Sequence, residues 1–546
     1  MANDTTQSTY QRDGDSGFIG LNSRDNPSAL PQGYVSESRN YRLDRGIASA
    51  RKGLQRKTSS ELVGQEIFGS CTYIDSTGQE IIVVVTGNKL YHYNPQTEVL
   101  SLPINFPTGE TITTSDGCDV IQAIDKVFIS RGYSKRPLVW DMASTITAMP
   151  TGTSTGHEFP NCAQLSYYGN RLLAQGKYHS EANLNRNRDT VCVSNYLDHQ
   201  HWDILDAFTF NNGGNDQVVA IAPWTLNEFT VFMRHSIFYV NTGVGRYATG
   251  DALSSDCFIK TLVTDIGCIA KRSVVQANGG IIFLSDNGVY AMNPTQVGSN
   301  ESMRLLTNAQ PISAPIDDVI QRINRTYAYR SVGCYWGNRY YLAVPIDGSE
   351  QNNAVLVYNF ILNAWESIDT YPEGIDVFNF VIAKKDDQRR LFLIDSDQGI
   401  FLTEELNWDE FGNQIGKPIV DYFNLDGEDA RLEPSAFTPN RIQSSLTTRR
   451  FVFGTFNDKR FSSTEIDLLF QTGASIDTYA IVSNEDTSVL IDSYFSGSDN
   501  DETRRVPIRK FGTGIQFQFT ARNNRPYIRS VYVYGSIKSK NIISKK

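Results

Sequence analysis

Between residues 60 and 405 the apolar positions fall in short runs parted by turn residues at near-regular spacing, the signature of many short strands. Gln79 to Val85 (QEIIVVV) reads as a strand, Thr86-Gly87-Asn88 as a turn, and Lys89 to Tyr93 as a second strand alternating apolar and polar. The same hairpin recurs where LSYY at 165–168 runs through Gly169-Asn170 into RLLA at 171–174. It recurs again where GCYW at 333–336 runs through Gly337-Asn338 into RYYLAV at 339–344. The Gly-Asn turns begin at 87, 169 and 337, so they lie 82 and 168 apart. Both spacings are near multiples of the roughly 41–42 residues of a four-stranded propeller blade.

A second element repeats as strand, acidic turn, short strand. IIFL at 281–284 precedes SDNG and then Val289-Tyr290; LFLI at 391–394 precedes Asp395 to Gly399 and then IFL at 400–402. These two lie 111 apart, which fits no clean multiple of that period, so the repeat is degenerate. A stretch of this length at roughly 40–50 residues per blade predicts six to eight blades. Radial stacking suits such a chain, because it buries both faces of each small sheet and leaves only short edges. The largest interruption is read at 179–216, as one short strand mixed with loop. A helix is predicted to start near Pro311 and to cover Ile316 to Arg322, with Asp317 and Asp318 in its first turn.

The pattern changes at both ends. Residues 1–57 are dense in Asn, Asp, Ser, Arg and Gly, with turn signals at Asn26-Pro27, Leu30-Pro31 and Gln32-Gly33. They read as an extended N-terminal arm, which stays mobile unless it packs on something else. Residues 406–440 read as a linker. From 441 to 546 the alternation of EIDLLF at 465–470, the run 478–482, GIQFQF at 514–519 and IRSVYVY at 528–534 predicts a small β-sandwich. The expected fold is therefore all-β: an arm (1–57), an irregular β-propeller (58–405), a linker (406–440) and a β-sandwich-like domain (441–546).

Composition agrees with strands. Aromatics reach 11% and glycines number 41, the residue types that pack on pleated surfaces and fill tight turns. The opening MANDTTQSTY lacks the basic start and apolar core of a signal peptide, and the strongest apolar run, Ile81 to Val85, is far too short to span a bilayer. Seven dispersed cysteines, none in a CxxC pair, point to buried thiols in a reducing compartment. The net charge of −10 hides an asymmetry. Residues 441–546 carry 16 Lys+Arg against 10 Asp+Glu, residues 1–57 carry 9 against 6, and residues 58–440 carry 25 against 44. An acidic middle with basic ends reads either as solvated faces or as surfaces that dock on oppositely charged neighbours. No basic patch interleaved with aromatics marks tight nucleic-acid binding.

The chemistry-bearing constellations are weak. His199-Gln200-His201, flanked by Asp198 and Asp203, puts two imidazoles on one strand face, but no distant third ligand accompanies them, and a solvent-exposed loop is the better reading. Asp395-Ser396-Asp397-Gln398-Gly399 is a partial calcium loop without the fifth-position ligand or the later bidentate Glu. Paired carboxylates for a glycosidase are unavoidable among 60 acidic residues and so carry no information. Aspartate boxes, a Gly-x-Ser-x-Gly elbow, a Walker loop and HExxH are all absent from the sequence. The expectation is no catalytic, cofactor or metal residues. The basic doublets Arg449-Arg450, Lys459-Arg460, Arg504-Arg505 and Arg509-Lys510 read as plain surface charge or as contacts to a neighbouring subunit or DNA.

Several segments together resemble the nozzle proteins of podoviruses, also called tail tubular protein B, tail hub or packaged-DNA stabilisation protein. The stretch from Phe18 to Asn22 (FIGLN), then Asn26-Pro27, Leu30-Pro31, Asn40 and Ala50-Arg51-Lys52-Gly53 is similar to that family's opening, with one glycine where the family commonly has two. GNRLL at 169–173 with Ser194 and Trp202-Asp203, GCIAKRSVVQANGGIIFLSDNGVY at 267–290, and VLVYNFILNAW at 355–365 resemble later parts. The resemblance implies a virion structural protein, assembled in the host cytoplasm, that forms a hexameric ring at the distal end of a short tail. It would sit below the adaptor protein, near tail fibres or receptor-binding proteins, and carry genomic DNA through its bore during ejection. An acidic lumen would repel phosphate and let DNA slide. The alternative from another class is a carbohydrate-binding or carbohydrate-cleaving propeller acting as a receptor-binding tail protein. A weaker one is a cytosolic propeller scaffold.

Overall fold

The computed structural model describes residues 10–58, 60–114, 116–149, 158–177, 186–210, 216–225, 228–242, 257–296, 303–307, 310–372, 374–405, 420–422, 439–470, 472–483, 487–523 and 525–537. Strands of two to twelve residues pair antiparallel into seven units with four strands in line, all but the last built from consecutive strands. They begin at Ile67, Val120, Asn161, Val218, Val275, Val332 and Val377 and are called blades 1 to 7. First strands of successive blades pack side by side, and that of blade 7, Val377–Lys385, meets Ile67–Ile74 of blade 1, so the ring closes. Between blades 4 and 5 the contact runs through the 3-10 turn Lys271–Ser273. The protein is an irregular β-propeller, with blade starts as little as 41 residues apart (Val120 to Asn161) and as much as 57 (Val218 to Val275).

Apolar clusters sit between the blades. Val83 and Val85 meet Val127 and Trp140 between blades 1 and 2, Phe128 meets Trp202 between 2 and 3, and Val191 meets Phe229 between 3 and 4. Ile82 and Val84 meet Phe392 and Ile394 where blade 7 closes on blade 1. Each such buried side chain contributes about 1.5–3 kcal/mol, so closure is driven face against face. Near the axis there is little room. A Cβ on Gly69 in blade 1 would lie 2.3 Å from Val120 of blade 2.

Blade 7 supplies only three strands of its own, Val377–Lys385, Gln388–Asp395 and Gly399–Glu405. Its fourth is Gly53–Arg56 from the N-terminal arm, with Arg56 opposite Phe401 and Gln55 opposite Leu402. The rest of the arm is equally engaged. Tyr10–Asp15 pairs with Tyr527–Ile537, and the hairpin Tyr41–Asp44/Ile47–Ala50 joins the same sheet. Tyr34–Arg39 lies between Ala364–Asp369 of blade 6 and Ser445–Thr448, so one ten-stranded sheet runs from the propeller into the C-terminal module.

That module is a sandwich. One sheet contains Lys459–Phe470, Asn500–Gly512 and Tyr527–Ile537; the other contains Ser475–Val482, Val489–Phe495 and Ile515–Asn523. Between them lie Phe461, Ile466, Phe470, Ile476, Val506, Phe517, Phe519, Val531 and Val533. Strands Val489–Phe495 and Asn500–Gly512 form the outer edges of their sheets.

Two sequence readings change. The stretch read as an interruption at 179–216 contains two strands of blade 3, Thr190–Asn195 and Asp198–Thr209; the second is its outermost, and its buried Trp202 and Phe208 stand among charged and polar residues that blur the apolar signal. The three Gly-Asn turns are not equivalent. Those at 169 and 337 join first and second strands, with both residues at φ between +54° and +61°, whereas Gly87-Asn88 joins second and third strands without a positive φ. The repeated strand, acidic turn and strand at 281–290 and 391–402, degenerate in spacing, does occupy the same place in both copies, between second and third strands of blades 5 and 7. The predicted helix is present as Asp317–Gln321 behind a 3-10 turn. Apart from Val420–Tyr422 and Pro439–Arg441, which extend the sheet of blade 7 beyond the arm strand, the linker lies outside the described residues.

Candidate functional site: the propeller axis and the arm junction

The 3-10 turn before blade 5 points two consecutive cations across the axis. Lys271 Nζ donates to the carbonyls of Cys118 (3.1 Å), on the approach to blade 2, and Ala163 (3.3 Å), in blade 3; Asp119 lies 3.7 Å away. Arg272 donates to the carbonyls of Phe378 in blade 7 and Phe68 in blade 1, each at 3.2 Å, with its guanidinium 4.0 Å over the Phe378 ring. Tyr340 of blade 6 adds a bond from its hydroxyl to the Ser273 carbonyl at 2.8 Å. Two side chains thus tie four blades and fill the middle of the wheel. Burial lowers the pKa of both, against the pull of Asp119.

Beside this plug opens a pocket of about 370 Å³ whose walls include Gln164, Gln217, Arg234, Lys271, Arg325 and Tyr329. They come from blades 3 and 4, the turn before blade 5 and the helical segment after it, as a mouth at the hub of a propeller requires. A second pocket, about 280 Å³, lies on blade 1 and includes Tyr73, Asp75 and His92.

Where arm, blades 6 and 7 and sandwich meet, charges are paired. Arg42 donates to Asp369 (3.0 and 2.5 Å) and to Glu404; Arg339 donates to Glu366 (2.6 and 3.0 Å), and Glu366 also accepts the Leu43 amide. Arg51 bonds Asn40 Oδ1 at 3.0 Å and stacks over Tyr371. Burial opposes the charge of Arg42, but Asp369 and Glu404 outweigh it and raise its pKa; Glu404 is lowered in turn, burial notwithstanding, by Arg42. At the other end of the arm Arg449 binds Asp13 and Asp15, each at 2.8 Å. Part of the charge asymmetry along the chain is therefore spent inside the molecule.

The candidates from sequence do not converge. His199 packs edge-on against Phe128, with its pKa lowered by burial and Lys126, while His201 pairs with Asp198; both lie on a strand, not on the loop expected. Asp395 accepts the amides of Asp376 (2.7 Å), Asp397 (3.0 Å) and Gln398 (2.9 Å), which closes a hairpin. Burial pushes its pKa up to about 7 against those donors. Asp216 likewise accepts from the His235 amide and the Ser236 hydroxyl, so these buried carboxylates hold turns. Among the described residues no group of three or more His, Cys, Asp or Glu gathers as for a metal, and no helix is long and apolar enough to cross a membrane. Of the basic doublets, Arg449, Lys459 and Arg504 are engaged within the sandwich and arm.

Sequence reasoning missed Lys271 and Arg272, although a signal existed. Cys71, Cys162 and Cys334 sit on first strands and Cys118 and Cys268 on the approaches to blades 2 and 5, where the crowded hub favours small apolar side chains. Their thiols are pushed up, by burial first, to about 12 for Cys71, Cys118, Cys268 and Cys334 and well above the usual value for Cys162. Read as hub markers, they bracket the Lys-Arg pair. Compared with known proteins, the chain matches no protein-family model and no curated sequence.

Proposed function

We propose that this chain is a structural subunit of a short phage tail, a nozzle or hub ring below the adaptor that retains the genome and channels it during ejection. The observation that carries the reading is the weave. The arm supplies the last strand of the propeller, bridges blade 6 to the sandwich and pairs with the C-terminal strand, so that propeller and sandwich form one stiff wedge. Such a tie suits a subunit that must carry load between its parts, as one under internal pressure does.

One flank of the wedge is open. Edge strands Val489–Phe495 and Asn500–Gly512 lie side by side, joined by Arg504–Asp492 (2.9 Å) and Tyr494–Glu502 (2.5 Å). Leu490, Phe495 and Phe511 are exposed there. Unpaired edges with apolar side chains template association with another copy, and a ring follows when that contact is head to tail. With Lys271 and Arg272 across the propeller axis, the DNA channel of such a ring runs between copies and not through a propeller. The test is electron microscopy of the purified chain and of virions labelled against it. Rings with a bore at the tail tip support the reading; a uniform monomer at all concentrations and an unlabelled tail refute it.

A further inference from the structure

The pocket beside the axial plug holds three cations, and their compensation is uneven. Arg234 meets Asp286 at 2.8 Å, and Lys271 has Asp119 no closer than 3.7 Å. Arg325 gives one N–H to the Ile320 carbonyl at 3.3 Å and, among the described residues, forms no ion pair, which leaves most of its planar fork open. Gln164 lines the pocket with one amide N–H given to the Val219 carbonyl, and Gln217 adds a second, exposed amide. Two aromatic rings flank these groups. Tyr133 is held in place by its hydroxyl, 2.8 Å from Gln175, and Tyr329 is 63% exposed at the rim.

Each of these groups matches a part of one kind of molecule. An open guanidinium fork takes a carboxylate through two parallel bonds. Amides serve hydroxyl groups, and tyrosine faces cover the C–H side of a ring while the phenol stays wet. A volume of about 370 Å³ is at the small end of ligand sites, enough for one ring and its substituents. We propose that this hub pocket binds a carboxylate-bearing sugar, with Arg325 on the carboxylate, Gln164 and Gln217 on hydroxyls, and Tyr329 against the ring. A bare inorganic anion would use the cations and leave the amides and rings idle. Lys271 sets the positive potential from the floor, held in place by the two carbonyls it ties.

The test uses the full chain and is independent of whether it forms rings. Saturation-transfer NMR with glucuronic acid is expected to show contact between the sugar ring protons and the protein. Arg325→Met should weaken binding about tenfold or more, a change of about 1.4 kcal/mol; Arg389→Met, at an exposed arginine of blade 7, should leave it unchanged. Glucose should bind about tenfold or more weakly than glucuronic acid, and inorganic phosphate in equal amount should fail to displace it. Absence of saturation transfer, insensitivity to Arg325→Met, or equal displacement by phosphate would each overturn the assignment. Arg325 is exposed, so its substitution leaves the fold intact, which an unchanged melting curve verifies.

Discussion

The hub of the propeller and the junction of arm, blades and sandwich both take cations out of water, and they compensate them in opposite ways. At the junction Arg42 and Arg339 face buried carboxylates, Asp369, Glu404 and Glu366. At the hub Lys271 and Arg272 face four backbone carbonyls, with one carboxylate at 3.7 Å. Full pairing fixes geometry, because removing either partner strands the other. Neutral acceptors tie blades together while leaving net positive potential, so a hub of this kind holds the wheel and also presents charge to whatever enters its mouth. The junction is built to stay shut.

The difference can be broken in graded steps. Deleting residues 1–57 removes the fourth strand of blade 7 and the bridge to the sandwich, and the expected result is loss of the fold, read as disappearance of β-sheet circular dichroism or as aggregation. Arg42→Met leaves Asp369 and Glu404 buried without their cation and is expected to destabilise by about 3–5 kcal/mol, measured by urea unfolding. Replacing all three by apolar residues should recover much of that loss.

Asp395 separates the two modes by pH. It sits in blade 7 where Thr58, the residue after the arm, accepts the Ile400 amide, and its folded pKa is raised to about 7 by burial. A carboxyl with a raised folded pKa contributes stability that is complete below its ordinary pKa and is lost as pH climbs through the folded value. Wild type should therefore lose stability relative to Asp395→Asn between pH 4.5 and 7.5, by at most about 1.4 kcal/mol per pH unit. Urea midpoints at those two values measure it, and a constant difference would contradict it. Lys271→Met should have the smallest effect, about 1–2 kcal/mol, because the carbonyls of Cys118 and Ala163 lie next to a pocket that admits water. If it equals Arg42→Met, the contrast between hub and junction is wrong.

Strands that bury an apolar face were legible in the sequence: the hairpins around Gly87, Gly169 and Gly337, the sandwich strands at 465–470 and 528–534, and the helix near Asp317 all stand where the pattern put them. Strands at edges were not. Val489–Phe495 and Asn500–Gly512 are polar or half exposed, and the latter contains Pro507, so neither alternation nor propensity marks them, while Asp198–Thr209 sets its buried Trp202 and Phe208 among charged residues. The blade period also misled, since insertions change the blade length and a turn of one kind fell by chance on the spacing of another. Ties through space were invisible in principle. Nothing in the composition of 53–56 announces the last strand of a sheet more than 340 residues away (Gln55 pairs with Leu402). The hub pair, Lys271 and Arg272, was not singled out by any pattern of spacing or charge.

Calorimetry of the full chain tests most directly the claim on which the rest depends, that arm and junction make propeller and sandwich one body. A single endotherm whose calorimetric and van't Hoff enthalpies agree is predicted for wild type, splitting into two for Arg42→Met. Two resolved transitions in the wild-type protein, one for each module, would contradict it.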